Sequence, residues 1–194
     1  ITDGHLNTAL GYAALSADTR GQRAVAIGGL ALTSQNITTE SESYNVGVGY
    51  AAGTSVTTGV QNTIIGGLAG DFLSDADANT AVGFGSLSAD SLGSQSVAIG
   101  YLTLLSQNFT TATDSFNVAV GSQAGRNVTT GVQNTIVGGV AGDAMTTGSK
   151  NTFIGFQAAG GGIVTGSGNT VMGETAGFSL TSGDNNLLLG VDAG

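Results

Sequence analysis

The chain has 194 residues, of which 40% are hydrophobic and 9% are charged, and it contains 34 Gly but no Pro, Cys or Trp. Disordered chains combine low hydrophobicity with high charge, so this composition predicts a folded protein. A formal net charge of −9 argues against binding to nucleic acid or to an anionic membrane surface, and without cysteine neither a disulfide framework nor a thiolate metal site can form. No stretch approaches the ~20 apolar residues of a membrane-spanning helix, so we expect no membrane insertion.

One five-residue motif recurs along the whole chain. Its copies, in chain order, are NTALG (7–11), AVAIG (24–28), NVGVG (45–49), NTIIG (62–66), NTAVG (79–83), SVAIG (96–100), NVAVG (117–121), NTIVG (134–138), NTFIG (151–155), NTVMG (169–173) and NLLLG (186–190). The closing glycines are 17 residues apart, except for two spacings of 21 and one of 18, and four units make a super-repeat of 72. We interpret 1–194 as a single repeat domain with super-repeats 1–72 and 73–144 and a partial one over 145–194.

This period predicts a parallel β-solenoid. Helix-pair repeats need ~33 residues or more, whereas one coil of a β-solenoid fits a period near 17. Each motif predicts one five-residue strand, and the density of Gly, Thr, Ser, Asn and Val disfavours helix. We therefore expect an all-β solenoid, or β-roll, of about eleven ~17-residue coils.

Both faces of each predicted strand are apolar, which indicates that both are covered. The second and fourth motif positions lie on one face and the third on the other. We expect one face to line the interior of the coil and the other to contact an identical chain. The third position is assigned to that interface, with the candidates Ile64, Ala81, Ala98, Ala119, Ile136, Phe153 and Val171.

An Asn opens nine of the eleven motifs. Stacked coils would align these side chains into a ladder of amides, so a role in turns and in the ladder is favoured over ligand binding. The predicted structural ladder consists of Asn45, Asn62, Asn79, Asn117, Asn134, Asn151, Asn169 and Asn186.

Candidates for chemistry are few. The single histidine, His5, would have to serve any Ser-His-Asp site alone, so we expect no enzyme and no catalytic residues. Asp75, Asp77 and Asn79 resemble the opening of a calcium loop, but Thr80 and Ser86 stand where an EF-hand needs Gly and Glu. A solvated acidic turn is favoured there, and we expect no metal and no cofactor.

Two units are four residues longer than the others, and each inserts the extra residues at one turn. Loops that leave a rigid repeat are where binding usually resides, although a tolerated insertion is the simple alternative. Their polar side chains could hydrogen-bond sugar hydroxyls, so we take as candidate receptor contacts Gln35, Asn36, Thr38, Glu40, Glu42, Gln107, Asn108, Thr110 and Asp114.

The segments QSVAIGYLT (95–103) and RAVAIGGLA (23–31) resemble the repeats in the heads of trimeric autotransporter adhesins. NTAVGFGSL (79–87) and NTFIGFQAAG (151–160) are similar to repeats of phage and viral tail fibres. The adhesin unit is nearer 14 residues, and this chain carries no coiled-coil stalk or membrane anchor. The resemblance implies a homotrimer. Because the strands are apolar on both faces, we expect the third strand position to lie at its threefold interface.

What the resemblance implies about function is a structural segment of a trimeric fibre or adhesin, outside the cell, at its surface or on a virion. Its partners would be itself, a cell-surface glycan or protein receptor, and neighbouring fibre domains outside this chain. A monomeric solenoid that binds directly, such as an ice-binding protein, and a subunit of a self-assembling extracellular filament are the alternatives.

Overall fold

The computed structural model describes residues 4–194, which form a stack of eleven coils joined by one parallel sheet. The strands are β1 (Thr8–Leu10), β2 (Gly21–Gln22), β3 (Val25–Ile27), β4 (Ser41–Glu42), β5 (Val46–Val48), β6 (Thr63–Ile65), β7 (Thr80–Val82), β8 (Gly93–Ser94), β9 (Val97–Ile99), β10 (Thr113–Asp114), β11 (Val118–Val120), β12 (Thr135–Val137), β13 (Thr152–Ile154), β14 (Thr170–Met172) and β15 (Leu187–Leu189). The predicted parallel solenoid of about eleven coils is confirmed, with three-residue strands in place of five-residue ones. The described residues contain no helix, and so none that could cross a membrane.

The large sheet has the order β1-β3-β5-β6-β7-β9-β11-β12-β13-β14-β15. Every pair is in the register of the repeat, so that Ala119 lies between Ala98 and Ile136, all at the third motif position. Because each coil presents the same positions to the next, the backbone groups of an inner strand pair with equivalent positions of the preceding and the following coil. The Thr63 amide, for example, donates to the Asn79 carbonyl at 2.8 Å.

The third motif position points into the coil and not at a neighbouring chain, so the predicted interface is wrong. All seven candidates have no exposed surface within a single chain: Ile64, Ala81, Ala98, Ala119, Ile136, Phe153 and Val171. A side chain that its own coil already covers cannot contact another copy. They belong instead to the continuous hydrophobic core of the described chain.

Volume compensation inside the coil explains why the third position varies so much in size. Where that position is the small Ala81, the residue six places later is Leu87, which is fully buried. Where it is Ile64, the residue six places later is Gly70, and a Cβ there would lie 3.4 Å from Ile64. Large and small residues thus fill one interior volume jointly in these coils, and where both positions are small, as at Gly47 and Gly53, Leu32 of the preceding coil fills the space.

The Asn ladder is present as predicted. The amide N–H of Asn62 donates to the side-chain oxygen of Asn45 at 2.8 Å, and the Asn62 oxygen accepts from the amide of Asn79 at 2.9 Å. From Asn45 to Asn169 each side-chain NH₂ also donates to a turn carbonyl, as Asn62 Nδ2 does to Ala76 O at 2.7 Å. Equivalent bonds connect the second part of the ladder, through Asn117, Asn134, Asn151, Asn169 and Asn186.

Candidate functional site

The two long units place their extra residues on the surface as loops that end in a short strand. In the first, β4 pairs with β2 of the preceding coil, and in the second β10 pairs with β8. These two-stranded sheets fix where each loop leaves the coil and where it returns. They were not predicted, because two residues of strand leave too short a pattern to recognise.

Most of the candidate receptor contacts are exposed on these loops: Asn36, Thr38, Glu40, Glu42, Asn108, Thr110 and Asp114. The hydroxyl of Thr19 in the preceding coil donates to Asn36 Oδ1 at 3.1 Å. The hydroxyl of Ser91 reaches Asn108 Oδ1 in the same way at 3.4 Å. Carboxylate, hydroxyl and amide groups are therefore available to a partner at both loops.

Gln35 and Gln107 are different, and their assignment as receptor contacts is wrong, since neither has any exposed surface. Gln107 Nε2 donates to Asp90 Oδ2 at 2.6 Å, and its oxygen accepts from Asn117 Nδ2 at 2.8 Å. Gln35 forms the same bridge between Asp18 and Asn45 in the first long unit. Both glutamines are structural, because they carry a buried chain of hydrogen bonds.

A buried aspartate ends each of these chains and holds the base of the loop. Asp90 Oδ1 accepts from the amides of Gly93 at 3.0 Å and Phe109 at 3.1 Å. Phe109 belongs to the long unit, so the carboxylate ties the loop to the preceding coil. Asp18 accepts from Gly21 and Ile37 in the same geometry. We name the sets Asp18–Gln35–Asn45 and Asp90–Gln107–Asn117 the two relays.

The relays replace the ladder where it is interrupted. The two long units are also the two that open with a residue other than Asn, namely Ala24 and Ser96. At those coils no ladder amide is available, and the glutamine of the long unit reaches into the vacant volume to bind the next Asn. The absence of Asn from the motif was the sequence signal that could have marked Gln35 and Gln107 as buried.

One exposed polar cluster accompanies the first loop only. Arg23 Nη2 lies 3.1 Å from Glu42 Oε1, and its guanidinium carbon lies 5.6 Å from the centre of the Tyr44 ring. The Tyr44 hydroxyl donates to Glu42, and this hydrogen bond raises the pKa of the tyrosine. The second super-repeat has Gln95 and Phe116 at the positions of Arg23 and Tyr44, so the two loops differ in surface chemistry.

The calcium-loop residues are not brought together. Asn79 is buried in the ladder, where its oxygen accepts from the Ser96 amide at 2.8 Å. Asp75 and Asp77 are exposed and accept hydrogen bonds from Thr58 and from the Val60 amide. Within residues 4–194, no three His, Cys, Asp or Glu side chains are grouped so that they could hold a metal ion.

The pKa of the Asp143 carboxyl group is raised above its usual value. Desolvation by the surrounding coil is the main cause, and the nearby positive charge of Arg126 opposes it. The Nε atom of Arg126 is itself buried without a hydrogen-bond partner. The partly buried charges of Asp143 and Arg126 therefore lower the stability of the folded chain.

The outer face of the large sheet carries one continuous row of apolar side chains along its whole length. The second and fourth motif positions point outward; the fourth is a large apolar residue in all eleven strands, whereas the second is Thr in six of them. Even in the middle of the sheet these side chains remain accessible, with Ile65 39% and Ile99 38% exposed, and at its end Leu189 is 57% exposed. No other part of the described chain covers this face.

Exposed aromatic side chains flank the outer face on both edges. Five follow the closing glycine of a motif, along what we call the trailing edge: Tyr12, Tyr50, Phe84, Tyr101 and Phe156. Two precede the opening position, along the leading edge: Tyr44 and Phe116. Phe84 and Tyr101 stack with their ring centres 6.0 Å apart.

No protein-family model matches the chain, and neither the curated proteins nor the solved structures contain a match. The functional interpretation therefore depends on the geometry of the loops, the relays and the outer face.

Proposed function

We propose that the chain is a rigid structural segment of a homotrimeric fibre or adhesin, located outside the cell, at its surface or on a virion. The observation that carries this proposal is the outer face of the large sheet, which presents an apolar side chain at the fourth motif position of all eleven strands and is uncovered in a single chain. Exposed apolar patches of this extent mark interaction sites, since single soluble proteins rarely keep them in contact with water.

The size of the outer face is sufficient for stable association. Ten spacings between eleven strands give a length of about 48 Å, and the six residue steps between the two edges give a width of about 20 Å. The product is roughly 960 Å² for each chain, so three chains together would bury about 2,900 Å², compared with about 1,600 Å² in total for a standard interface between two chains. Repetition of the same positions in every coil makes an identical chain a natural partner.

The interior supports the mechanical part of the proposal. Continuous backbone pairing, the Asn ladder and a close-packed core connect each coil to the next in the same way along the described chain. A structure of this kind bends little, which suits a spacer. We assign it no catalytic activity and no cofactor, because the chain has one histidine and repeats its other polar groups as scaffold.

The long-unit loops are the places where this segment would contact a receptor. They carry exposed carboxylates, amides and hydroxyls, which can hydrogen-bond a cell-surface glycan or a protein. The relays hold the base of each loop in place from inside. A threefold assembly would present each loop three times, so that weak contacts add by avidity.

Solution mass tests the assembly. We expect light scattering to give about 57 kDa, three times the 18.9 kDa of one chain. Replacing Ile65 and Ile99 together by Glu should give a folded monomer, since both side chains point outward and a buried charge opposes association. Phe72→Glu is the control, because Phe72 is exposed outside the outer face. A native mass near 19 kDa would refute the trimer.

Deleting residues 38–41 and 110–113 tests the loops. These deletions shorten both long units to 17 residues and leave the relays in place. We expect the trimer and its β-sheet circular dichroism to persist while adhesion to the target cell falls. Full adhesion by a folded, shortened fibre would show that the loops are spacers.

A further inference from the structure

Seven of the nine exposed Tyr and Phe side chains in the described chain lie on the two edges of the outer face. Only Phe72 and Phe178 lie elsewhere. Aromatic residues are enriched where proteins meet, because they bury much apolar area with little loss of side-chain freedom. The edges, and not only the aliphatic centre of the face, thus carry the composition of an interface.

We propose that the trailing edge of one chain contacts the leading edge of the next at the same coil, so that three edge-to-edge seams close the trimer. This inference rests on the proposed trimer and adds which residues meet. In a closed ring the same two surfaces recur at every interface. A threefold rotation about an axis parallel to the stack shifts no chain along that axis. The same coil of each chain therefore lies at the same level.

The residue sizes along the two edges are compatible with such a seam. In the fifth coil Phe84 would face Ala78, and in the seventh Phe116 would face Ser122. In the second coil the trailing-edge residue is Gly29, and the leading-edge residue that would face it is Arg23, which has a long side chain. In no coil are the residues at both edges Gly, Ala or Ser, so each level of the seam has a large side chain to fill it.

The aromatic rings of the trailing edge are already ordered in the single chain. Phe84 stacks on Tyr101 of the following coil, and its ring lies against Gly67 of the preceding one, where a Cβ would be 3.5 Å away. Phe156 lies against Gly139 in the same way. A preordered edge loses less entropy when a second copy docks.

The chain has no cysteine, so disulfide trapping can test the seam without background. We would make Ala78→Cys together with Phe84→Cys. Within one chain these positions are six residues apart across a strand, about 20 Å, far beyond the ~7 Å that a disulfide spans between Cα atoms. Any bridge must therefore form between chains. We expect oxidation to convert the protein to a covalent trimer on a denaturing gel.

Matched controls fix the register and the symmetry. Ala78→Cys with Phe156→Cys displaces one partner by four coils, about 19 Å, and should not cross-link. Each single variant should also stay uncross-linked, because a seam between unlike edges brings no residue against its own copy. Ser122→Cys with Phe116→Cys repeats the test at a second level, in case loss of the Phe84 ring disturbs the fifth coil.

The outcomes separate this inference from the proposed function. A trimeric mass with covalent trimers only for the in-register pairs supports both. A trimeric mass without those bridges, or with bridges in the offset pair, overturns the seam and leaves the trimer. Covalent dimers of single variants would indicate a twofold assembly of like edges and overturn the seam. A monomeric native mass refutes the proposed function and the seam together.

Discussion

The relays allow a sharp test of how the long units are held, by the substitution Asp90→Asn. Asp90 is fully buried and accepts three hydrogen bonds, from Gln107 Nε2 and from the amides of Gly93 and Phe109. An aspartate oxygen can only accept, and this makes every bond of the relay run in one direction. Asparagine has almost the same shape but one acceptor and one donor.

Either orientation of the new amide leaves a donor facing a donor. If the introduced side chain turns its oxygen to the two backbone amides, its NH₂ meets the NH₂ of Gln107. Turning Gln107 over only moves the mismatch to Asn117, whose NH₂ is bonded to the Gly131 carbonyl at 2.7 Å. Two buried groups therefore lose a partner, and each costs about 1–3 kcal/mol, or roughly 2–6 kcal/mol in total.

Urea unfolding followed by circular dichroism measures this loss. With a slope of about 2 kcal/mol per M, the midpoint should fall by about 1–3 M. Asp114→Asn is the control, since it removes the same charge from an exposed position. Asp18→Asn should repeat the effect in the first relay, and the two losses should add because the sites are four coils apart. An unchanged or higher midpoint for Asp90→Asn would refute the reasoning, because relief of a buried charge would then outweigh the mismatch.

Three further predictions concern the ladder, the strand ends and pH. Asn134→Ala should lower the free energy of unfolding, measured in urea, by about 2–6 kcal/mol, because the Gly148 carbonyl and the Asn151 amide lose their hydrogen-bond partner. A loss below about 1 kcal/mol would contradict a structural role for the ladder. Gly66→Ala should lower the melting temperature far more than Gly190→Ala. Both glycines have positive φ, but only at Gly66 would an added Cβ lie 2.6 Å from a backbone oxygen of the next coil. Equal losses in the two variants would refute that clash. Asp143→Asn should raise the melting temperature at pH 7. The folded-state pKa of Asp143 is raised, so its carboxylate opposes folding above that pKa, and the gain should vanish as acidification protonates the wild-type group; a gain that persists at low pH would contradict this.

The repeat itself determined most of the fold. A period of 17 with an aliphatic strand motif allows one strand per coil, and identical positions one period apart can pair only in parallel and in register. The Asn ladder follows from the same periodicity, since an amide that recurs at the same place in each coil meets its own copy. These features are local or periodic, so the amino-acid sequence alone is enough to predict them.

The tertiary structure decided which face is inside, because the pattern is apolar on both faces and hydrophobicity cannot distinguish them. Interior volume does distinguish them, as the pairing of Ile64 with Gly70 and of Ala81 with Leu87 illustrates. The burial of Gln35 and Gln107 likewise depended on partners contributed by other coils, at Asp18, Asn45, Asp90 and Asn117. A polar residue beside a surface loop looks exposed in sequence, and only the three-dimensional arrangement of donors and acceptors shows that it closes a gap in the ladder.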